Sequence, residues 1–493
     1  MQTLRAQLEK LGLRVVSIET YDEEQFKRLH RPVGKIELYS LADRVNRAFA
    51  LTGRDERVSE GKFRSCYRPE MTFQPLVKFC EGSKFQPRDK KLLTVAAERV
   101  VKKFCHGKVK PISLEESYQR LLSDKYDHFA GLPTLGKKGD DELALKRAEQ
   151  VWRGKCPPPA IILHRGKNVT VVRVVWAFPF EQHIVEGAFY YALYDLIKTS
   201  QSIYPVGVIS ERRYLMRKYC QNESYNTKFS IDYSGFDASL TTQMIGIAFS
   251  ILGRMLDLTP VEQKNWERVQ TYFTTCPFLA PDGLVYKGRR GGVPSGSMFT
   301  QLVDSVCNAL AIEYAMLREG IRDFKYLVYG DDSWTILNIG EEPQKFLQKI
   351  ESHVRSLGLR MNVDKTAYAK PDQTIVFCGH YDIRRGRPLQ DAIDKMCYPE
   401  RPSVAYTTSK GICERIMAYI ADADSLELNA VFLSFYYNKP VEAFIKQSRS
   451  TNLQEIISQE AKGSNRRHLP GILQVIDAAP REASTLMKIR SAI

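Results

Sequence analysis

No stretch of the 493-residue chain holds the ~18–20 consecutive apolar residues that cross a bilayer. The most apolar run, Ala430 to Tyr437, is short and contains Ser434. A membrane-spanning helix is therefore not expected. Met1 to Lys10 alternates charge with leucine and lacks a secretory core, so a chain without a secretory leader is expected. The ten cysteines are scattered and no Cys-x-x-Cys pair occurs. That argues against a zinc ribbon or a disulfide frame and for reduced thiols in a cytosolic setting. There is no internal repeat and no low-complexity tract. Acidic residues are the minority charge: 57 against 72 basic ones, a formal net charge of +15. With 43% hydrophobic and 26% charged residues, wholesale disorder is excluded. The surplus suits a polyanionic partner, nucleic acid or an acidic membrane surface, and equally a basic soluble enzyme.

What is there is a mixed pattern. Helical periodicity runs over Leu4–Leu13, Leu92–Phe104, Ala188–Ile197 and Glu342–Leu357, and again over most of the chain after 396. Strand-like runs occur at Ala160–Leu163, Val169–Trp176, Lys228–Asp232, Tyr326–Tyr329, Trp334–Leu337 and Ile375–Cys378. Phe278–Ala280 and Leu284–Tyr286 flank a Pro-Asp-Gly turn, as in a hairpin. Interleaved strands and helices indicate an α+β fold.

Gly-Asp-Asp occurs twice. Gly139-Asp140-Asp141 precedes a helical pattern, and a solvated helix start is expected there, because acidic side chains suit a helix N-terminus. Gly330-Asp331-Asp332 sits between two strand-like runs. Adjacent carboxylates at such a tip repel each other, which invites cations; an ordinary Asp-rich turn is the competing reading. Asp232 ends another strand, with Asp237 five residues on. If those strands are neighbours, Asp232 and Asp331 could approach each other and hold two Mg²⁺ ions, with Mn²⁺ as a substitute, as in-line phosphoryl chemistry requires. Between them, Thr300, Asp304 and Asn308 recur every four residues behind a Gly-Ser loop. On a helix they share one face. That stripe either faces solvent or reads ribose and template backbone.

At this point the sequence resembles the viral RNA-dependent RNA polymerases. Asp232-Tyr-Ser-Gly-Phe-Asp237 resembles their motif A. Ser295-Gly296 with Thr300 and Asn308 resembles motif B, and Gly330-Asp331-Asp332 motif C. Leu357 to Thr366, with Lys365, is similar to motif D, and Val376 to His380, with Gly379, to motif E. Arg165-Gly-Lys167 and Arg173-Val-Val-Trp176 resemble motif F; Gly131-Leu-Pro-Thr134 with Lys137 and Lys138 resembles motif G. The motif B and motif F wording is most similar to partitivirus and picobirnavirus enzymes of double-stranded-RNA viruses. One departure is Asp304, where many positive-strand enzymes carry Asn; the ribose contact then falls to Asp304 or Asn308.

The resemblance implies a right hand closed by an N-terminal extension, residues 1–110. It implies fingers at 111–225 and 256–290, a palm at 226–255 and 291–395, and a thumb at 396–493. Asp232, Asp331 and Asp332 would be catalytic and metal-bearing, with Lys365 as general acid. Arg165, Lys167, Arg173, Asp237, Ser295, Thr300, Asp304 and Asn308 would bind the nucleotide. RNA would run past Gly131, Thr134, Lys137, Lys138, Lys287, Arg289, Arg290, Gly296 and Gly379. Partners would be template, product duplex, ribonucleoside triphosphates and a capsid protein, in the host cytoplasm and inside the virion. A reverse transcriptase-like polymerase fits Tyr329-Gly-Asp-Asp332, but Asp237, an acceptor for a 2′-hydroxyl, favours ribonucleotides. A non-catalytic, capsid-associated RNA-binding protein would suit the charge but leaves the carboxylates without a purpose. His183 and His380 are expected to be structural.

Overall fold

Side-chain caps explain where several helices begin. Asp89 accepts the Leu92 N–H, Ser113 that of Glu116 and Thr241 that of Met244. Thr259 and Glu262 form a reciprocal capping box behind Pro260. The computed structural model describes residues 3–17, 22–31, 39–60, 68–166, 172–199, 209–384, 386–398, 409–423 and 425–445.

The first third is mostly helical: α1 (Leu4–Lys10), the short strand β1 (Arg14–Val16), α2 (Glu23–Leu29), α3 (Tyr39–Leu51), α4 (Phe73–Glu81), α5 (Lys90–Phe104), α6 (Leu114–Lys125) and α7 (Ala144–Trp152). Strands β2 (Ala160–Gly166) and β3 (Val172–Ala177) follow, then α8 (Phe180–Thr199), α9 (Ile209–Cys220), β4 (Thr227–Ser230) and α10 (Phe236–Ser239). Next come α11 (Thr242–Gly253), α12 (Pro260–Thr275), β5 (Phe278–Leu279), β6 (Val285–Lys287) and α13 (Thr300–Arg318). The hairpin β7 (Phe324–Tyr329) and β8 (Asp332–Leu337) leads to α14 (Pro343–Ser356), β9 (Ala367–Ala369), β10 (Val376–Phe377) and β11 (His380–Tyr381). The described chain ends in α15 (Leu389–Cys397), α16 (Ser409–Ala423) and α17 (Leu426–Tyr436), with a 3₁₀ turn at Val441–Ala443.

Two sheets organise these elements. One has the order β7-β8-β4-β9 and is antiparallel throughout. The other has the order β1-β6-β5-β2-β3, with β2 and β5 parallel. Helix α13 lies against the first sheet and is buried along almost its whole length, packed between α5, α11 and α14. Phe229, Met244, Leu252, Leu310 and Tyr326 belong to the same continuous core. Each such side chain contributes about 1.5–3 kcal/mol on burial. A second core joins the two ends of the described chain: Leu41, Val45 and Phe49 of α3 pack with Ile393, Ile416 and Val431.

The helices expected at Leu4–Leu13, Leu92–Phe104, Ala188–Ile197 and Glu342–Leu357 form, as do the hairpins around Pro281-Asp-Gly283 and Gly330-Asp331. The first Gly-Asp-Asp copy needs correction. Helix α7 begins at Ala144, and Asp141 is buried rather than solvated. It accepts from the Thr134 hydroxyl at 2.6 Å and pairs with Arg147, which also reaches Glu181 at 3.1 Å. An arginine one turn inside α7 draws the carboxylate inward. The nine described cysteines are all free. Lys167, and the part of the expected thumb from 446 on, lie outside the described residues.

Candidate active site

The β7–β8 hairpin pairs from Phe324↔Leu337 to Tyr329↔Asp332, so Gly330 and Asp331 form its two-residue loop. Gly330 has φ +65°, the left-handed value such turns favour in glycine. Helix α13 holds this loop from beneath. Ser305 Oγ accepts the Gly330 N–H at 2.8 Å. Asn308 Nδ2 donates to the carbonyls of Gly330 and Asp331 at 3.0 Å and of Asp332 at 3.3 Å. Its Oδ1 accepts from the Tyr233 hydroxyl at 3.3 Å. Asn308 is fully buried. Both ends of its amide are thus committed to protein groups in this structure, where it shapes the turn.

Asp232 lies just beyond β4. Strands β4 and β8 are neighbours, with Phe229 opposite Thr335. The same register carried onward brings Asp232 level with Asp332. Motif-D-like residues pin it from the other side. The Asp232 N–H donates to Thr366 Oγ1 at 3.2 Å, and its carbonyl accepts the Asn362 N–H at 2.8 Å. No spacing signal in the sequence pointed to that role for Asn362 or Thr366.

Asp232, Asp331 and Asp332 are all solvent-exposed. Desolvation, then the charges of Asp331 and Asp232, push Asp332 up to about 6, against the Cys378 thiol and Arg173. Asp237 is half-buried; desolvation and Asp331 push it to about 6, and Arg173 opposes the shift. Asp304 is buried, and one of its carboxyl oxygens lacks a hydrogen-bond partner. Desolvation, then Asp237 and Asp331, hold it well above the usual carboxylate range. Of the two candidates for the ribose contact, only Asp304 keeps an uncommitted polar atom.

The carboxylates are a fit for hard cations. No cluster of three or more His, Cys, Asp or Glu side chains closes around one point among the described residues. Mg²⁺ needs no such cage, since it takes one or two carboxylates and completes its shell with water and substrate oxygens. The raised proton affinity of Asp332 comes first from desolvation and then from the charges of Asp331 and Asp232.

The motif-B-like loop sits across from the hairpin. Ser295 is exposed, and its Oγ accepts the Trp176 N–H at 3.3 Å. Gly296 is pressed onto β3, where an added Cβ would lie 1.6 Å from the Trp176 carbonyl oxygen. Its place in the sequence therefore reflects close packing. Thr300 is half-buried and donates to the Pro294 carbonyl at 2.7 Å. His183 is buried, as expected, and its Nε2 donates to the Gly296 carbonyl at 2.7 Å. His380 Nδ1 lies 3.0 Å from the Cys378 carbonyl within its own hairpin.

The basic residues divide. Arg165 and Arg173 are opposite each other on β2 and β3 and both are exposed. Lys137, Lys287, Arg290 and Lys365 are exposed too; Lys137 is paired with Asp127 at 2.7 Å. Two expectations are overturned. Lys138 is buried with its ammonium 5.2 Å from the centre of the Phe180 ring, and burial and Lys125 push it down to about 7. Arg289 is buried over Trp176 and donates to the carbonyls of Gly291, Gly292 and Phe273. Both are enclosed in protein and do not line an RNA path. In the string Gly-Arg-Arg-Gly-Gly the glycines turn their carbonyls onto Arg289 and leave Arg290 outside. Gly131, with φ +73°, is buried against the Phe178 carbonyl, and Thr134 is bound to Asp141. Gly379, with φ +74°, turns the β10–β11 hairpin.

A further buried pair escaped sequence reasoning. Lys228 of β4 and Asp382 meet at 2.6 Å with both side chains fully enclosed. Asp382 also accepts from Trp334 Nε1 and the Ile375 N–H, each at 3.0 Å. The pair ties the hairpin β10–β11 to the sheet beneath the carboxylates. A lysine alternating with apolar strand residues was its only signal.

The family described as viral RNA-dependent RNA polymerase matches residues 169–394, from the segment of β3 to within α15. Over these residues the chain is similar to the viral RNA-dependent RNA polymerases. The RNA-directed RNA polymerase of Cryptosporidium parvum virus 1 is 26% identical over 407 residues, 74% of this chain and 76% of that protein. The enzyme of Atkinsonella hypoxylon virus is 26% identical over 189 residues, covering 35% of this chain and 27% of its own length. In structure, the polymerase is similar to the RNA-dependent RNA polymerase of a human picobirnavirus: the TM-score is 0.68 at 16% identity, over 95% of this chain and 96% of that one. The polymerase therefore has the right-hand fold, and it is an RNA-directed RNA polymerase.

Proposed function

We propose that the polymerase joins ribonucleoside triphosphates on an RNA template at Asp232, Asp331 and Asp332, and so copies and transcribes the genome of a double-stranded-RNA virus. The observation that carries this assignment is the antiparallel pairing of β4 with β8, which brings Asp232 level with the Asp331–Asp332 turn. Two Mg²⁺ ions held by these carboxylates, or Mn²⁺ in their place, would supply the charge that favours an ionised 3′-hydroxyl and a departing pyrophosphate. Everything else is done by the chain. Arg165 and Arg173, exposed on neighbouring strands, take the triphosphate, with Lys167 following in the same segment. Asp237 accepts from the ribose 2′-hydroxyl beside Ser295, Thr300 and Asp304. Lys365, exposed beside the Asn362–Thr366 turn, gives a proton to the pyrophosphate. Exposed Lys137, Lys287 and Arg290 hold RNA phosphates, so binding weakens steeply with salt.

In this reading the palm is the four-stranded sheet with α11, α13 and α14, and the fingers are the five-stranded sheet with α6 to α8 and α12. In the same reading α5, which lies along α13, goes with the palm, and α15, which packs on α16, goes with the thumb. The N-terminal extension closes the hand. Its β1 pairs with β6, and its α3 packs against α15 and α17. Work inside a virion, beside capsid protein in the host cytoplasm, suits the +15 charge and the viral relatives.

The test is incorporation of labelled NTPs and dNTPs on a single-stranded RNA template. Asp237→Tyr is expected to lose ribonucleotide preference or activity. Unchanged incorporation and selectivity in that variant would remove Asp237 from the ribose site.

A further inference from the structure

Helix α13 starts without a cap of its own. Phe299, the residue before it, offers no side-chain acceptor to the first N–H groups, which need partners from elsewhere. They come from α8. Glu186 is fully buried, and its Oε2 accepts the Met298 N–H at 2.8 Å and the Ser297 hydroxyl at 2.9 Å. Ser297 Oγ in turn accepts the Phe299 N–H at 3.1 Å. The other Glu186 oxygen takes the Gln182 amide at 3.2 Å. His183, three residues before Glu186 and thus on the same face, grips the Gly296 carbonyl. Two side chains of α8 therefore hold three successive residues, Gly296, Ser297 and Met298. A carboxylate beside a helix N-terminus is also where the helix dipole favours negative charge. Burial pushes Glu186 up to about 7 against the pull of its hydrogen bonds and of Lys138.

What lies downstream gives this grip its meaning. The loop presents exposed Ser295 next to β3, the strand of Arg173. The helix that starts at Thr300 carries Asp304, and it carries Ser305 and Asn308, which hold the carboxylate turn. The start of α13 is thus a shared reference point for nucleotide and carboxylates, and α8 sets it.

We infer that Glu186, supported by His183, is a positioning residue for nucleotide insertion: it fixes the Gly296–Met298 loop and the first turn of α13, and with them the seat of the incoming nucleotide. The inference rests on the polymerase reading above. Its test is steady-state NTP incorporation by the full chain, with KM and kcat separated and melting temperature recorded, for the wild type, Glu186→Ala, Glu186→Gln and Ser297→Ala. Glu186→Ala is expected to raise KM for NTP about tenfold with a smaller fall in kcat, because a loosened loop must be ordered by the ligand. Glu186→Gln keeps an oxygen for the Met298 N–H and should recover to within about threefold of wild type. Ser297→Ala should move KM the same way by less, and it carries the test if Glu186→Ala does not fold. Wild-type KM in well-folded Glu186→Gln and Ser297→Ala, together with a Glu186→Ala defect confined to melting temperature or kcat, overturns the inference. A wild type no more active than Asp331→Asn overturns the polymerase reading and this inference with it; an active wild type matched by all three variants overturns the inference alone.

Discussion

At residues 139–141 and again at 330–332 the chain reads Gly-Asp-Asp, and the two copies have opposite surroundings. Asp141 is buried, takes the Thr134 hydroxyl, and is paired with Arg147, which bridges on to Glu181. Asp331 and Asp332 reach solvent, and the hydrogen bonds that shape their turn go to its backbone. Desolvation, and then the neighbouring carboxylates, push Asp332 up to about 6. A carboxylate whose charge is met by arginine serves the fold. One whose charge is crowded by its own kind, with its oxygens left outward, retains affinity for a cation.

The comparison is sharpened first by Asp331→Asn, which should lower NTP incorporation at least about 10³-fold, as losing several kcal/mol of transition-state stabilisation does. RNA binding, measured by filter retention, should stay near wild type. Next in size, Asn308→Ala should cost about 10²-fold in kcat, because three turn carbonyls lose their donor and the carboxylates lose their aim. The other copy should break differently. Asp141→Ala should cost about 3 kcal/mol in a denaturant titration, since Arg147 loses one of its two buried partners.

A smaller effect carries a sign. Asp332 binds its proton more tightly in the fold than the ordinary value of 3.8 allows. Its contribution to stability is therefore full below about 4 and is lost as pH rises through about 6. Asp332→Asn should gain melting temperature relative to the metal-free wild type between pH 4 and pH 7.5, while synthesis is lost. Mg²⁺ should raise the wild-type melting temperature at pH 7.5, and Asp331→Asn should blunt that rise. Asp140→Asn, on the exposed residue of the first copy, should stay within about 0.5 kcal/mol of wild type.

Local pattern made much of this legible. Apolar runs on either side of Gly330 specified the β7–β8 hairpin, and the adjacency on which the Asp232 reading was conditional is met by the pairing of β4 with β8. Asp237 and Asp304 fall beside Asp331, in line with their motif positions. Burial was the illegible part, because it is decided by elements distant in sequence. Lys138 and Arg289 look like solvated basic residues until Phe180, Trp176 and a ring of carbonyls close over them. Asn308 shares a helix face with Thr300 and Asp304, and nothing in that spacing reveals that the turn takes both ends of its amide. Glu186 lies ahead of the helix expected at Ala188–Ile197, which α8 extends back to Phe180.

The most direct test of the account compares labelled NTP incorporation on single-stranded RNA by the wild type, Asp331→Asn and Asp140→Asn, at matched RNA occupancy in Mg²⁺ or Mn²⁺. Full-length product is expected from the wild type and Asp140→Asn, and none from Asp331→Asn. Equal synthesis by all three, or RNA binding without product from the wild type under either ion, would contradict it.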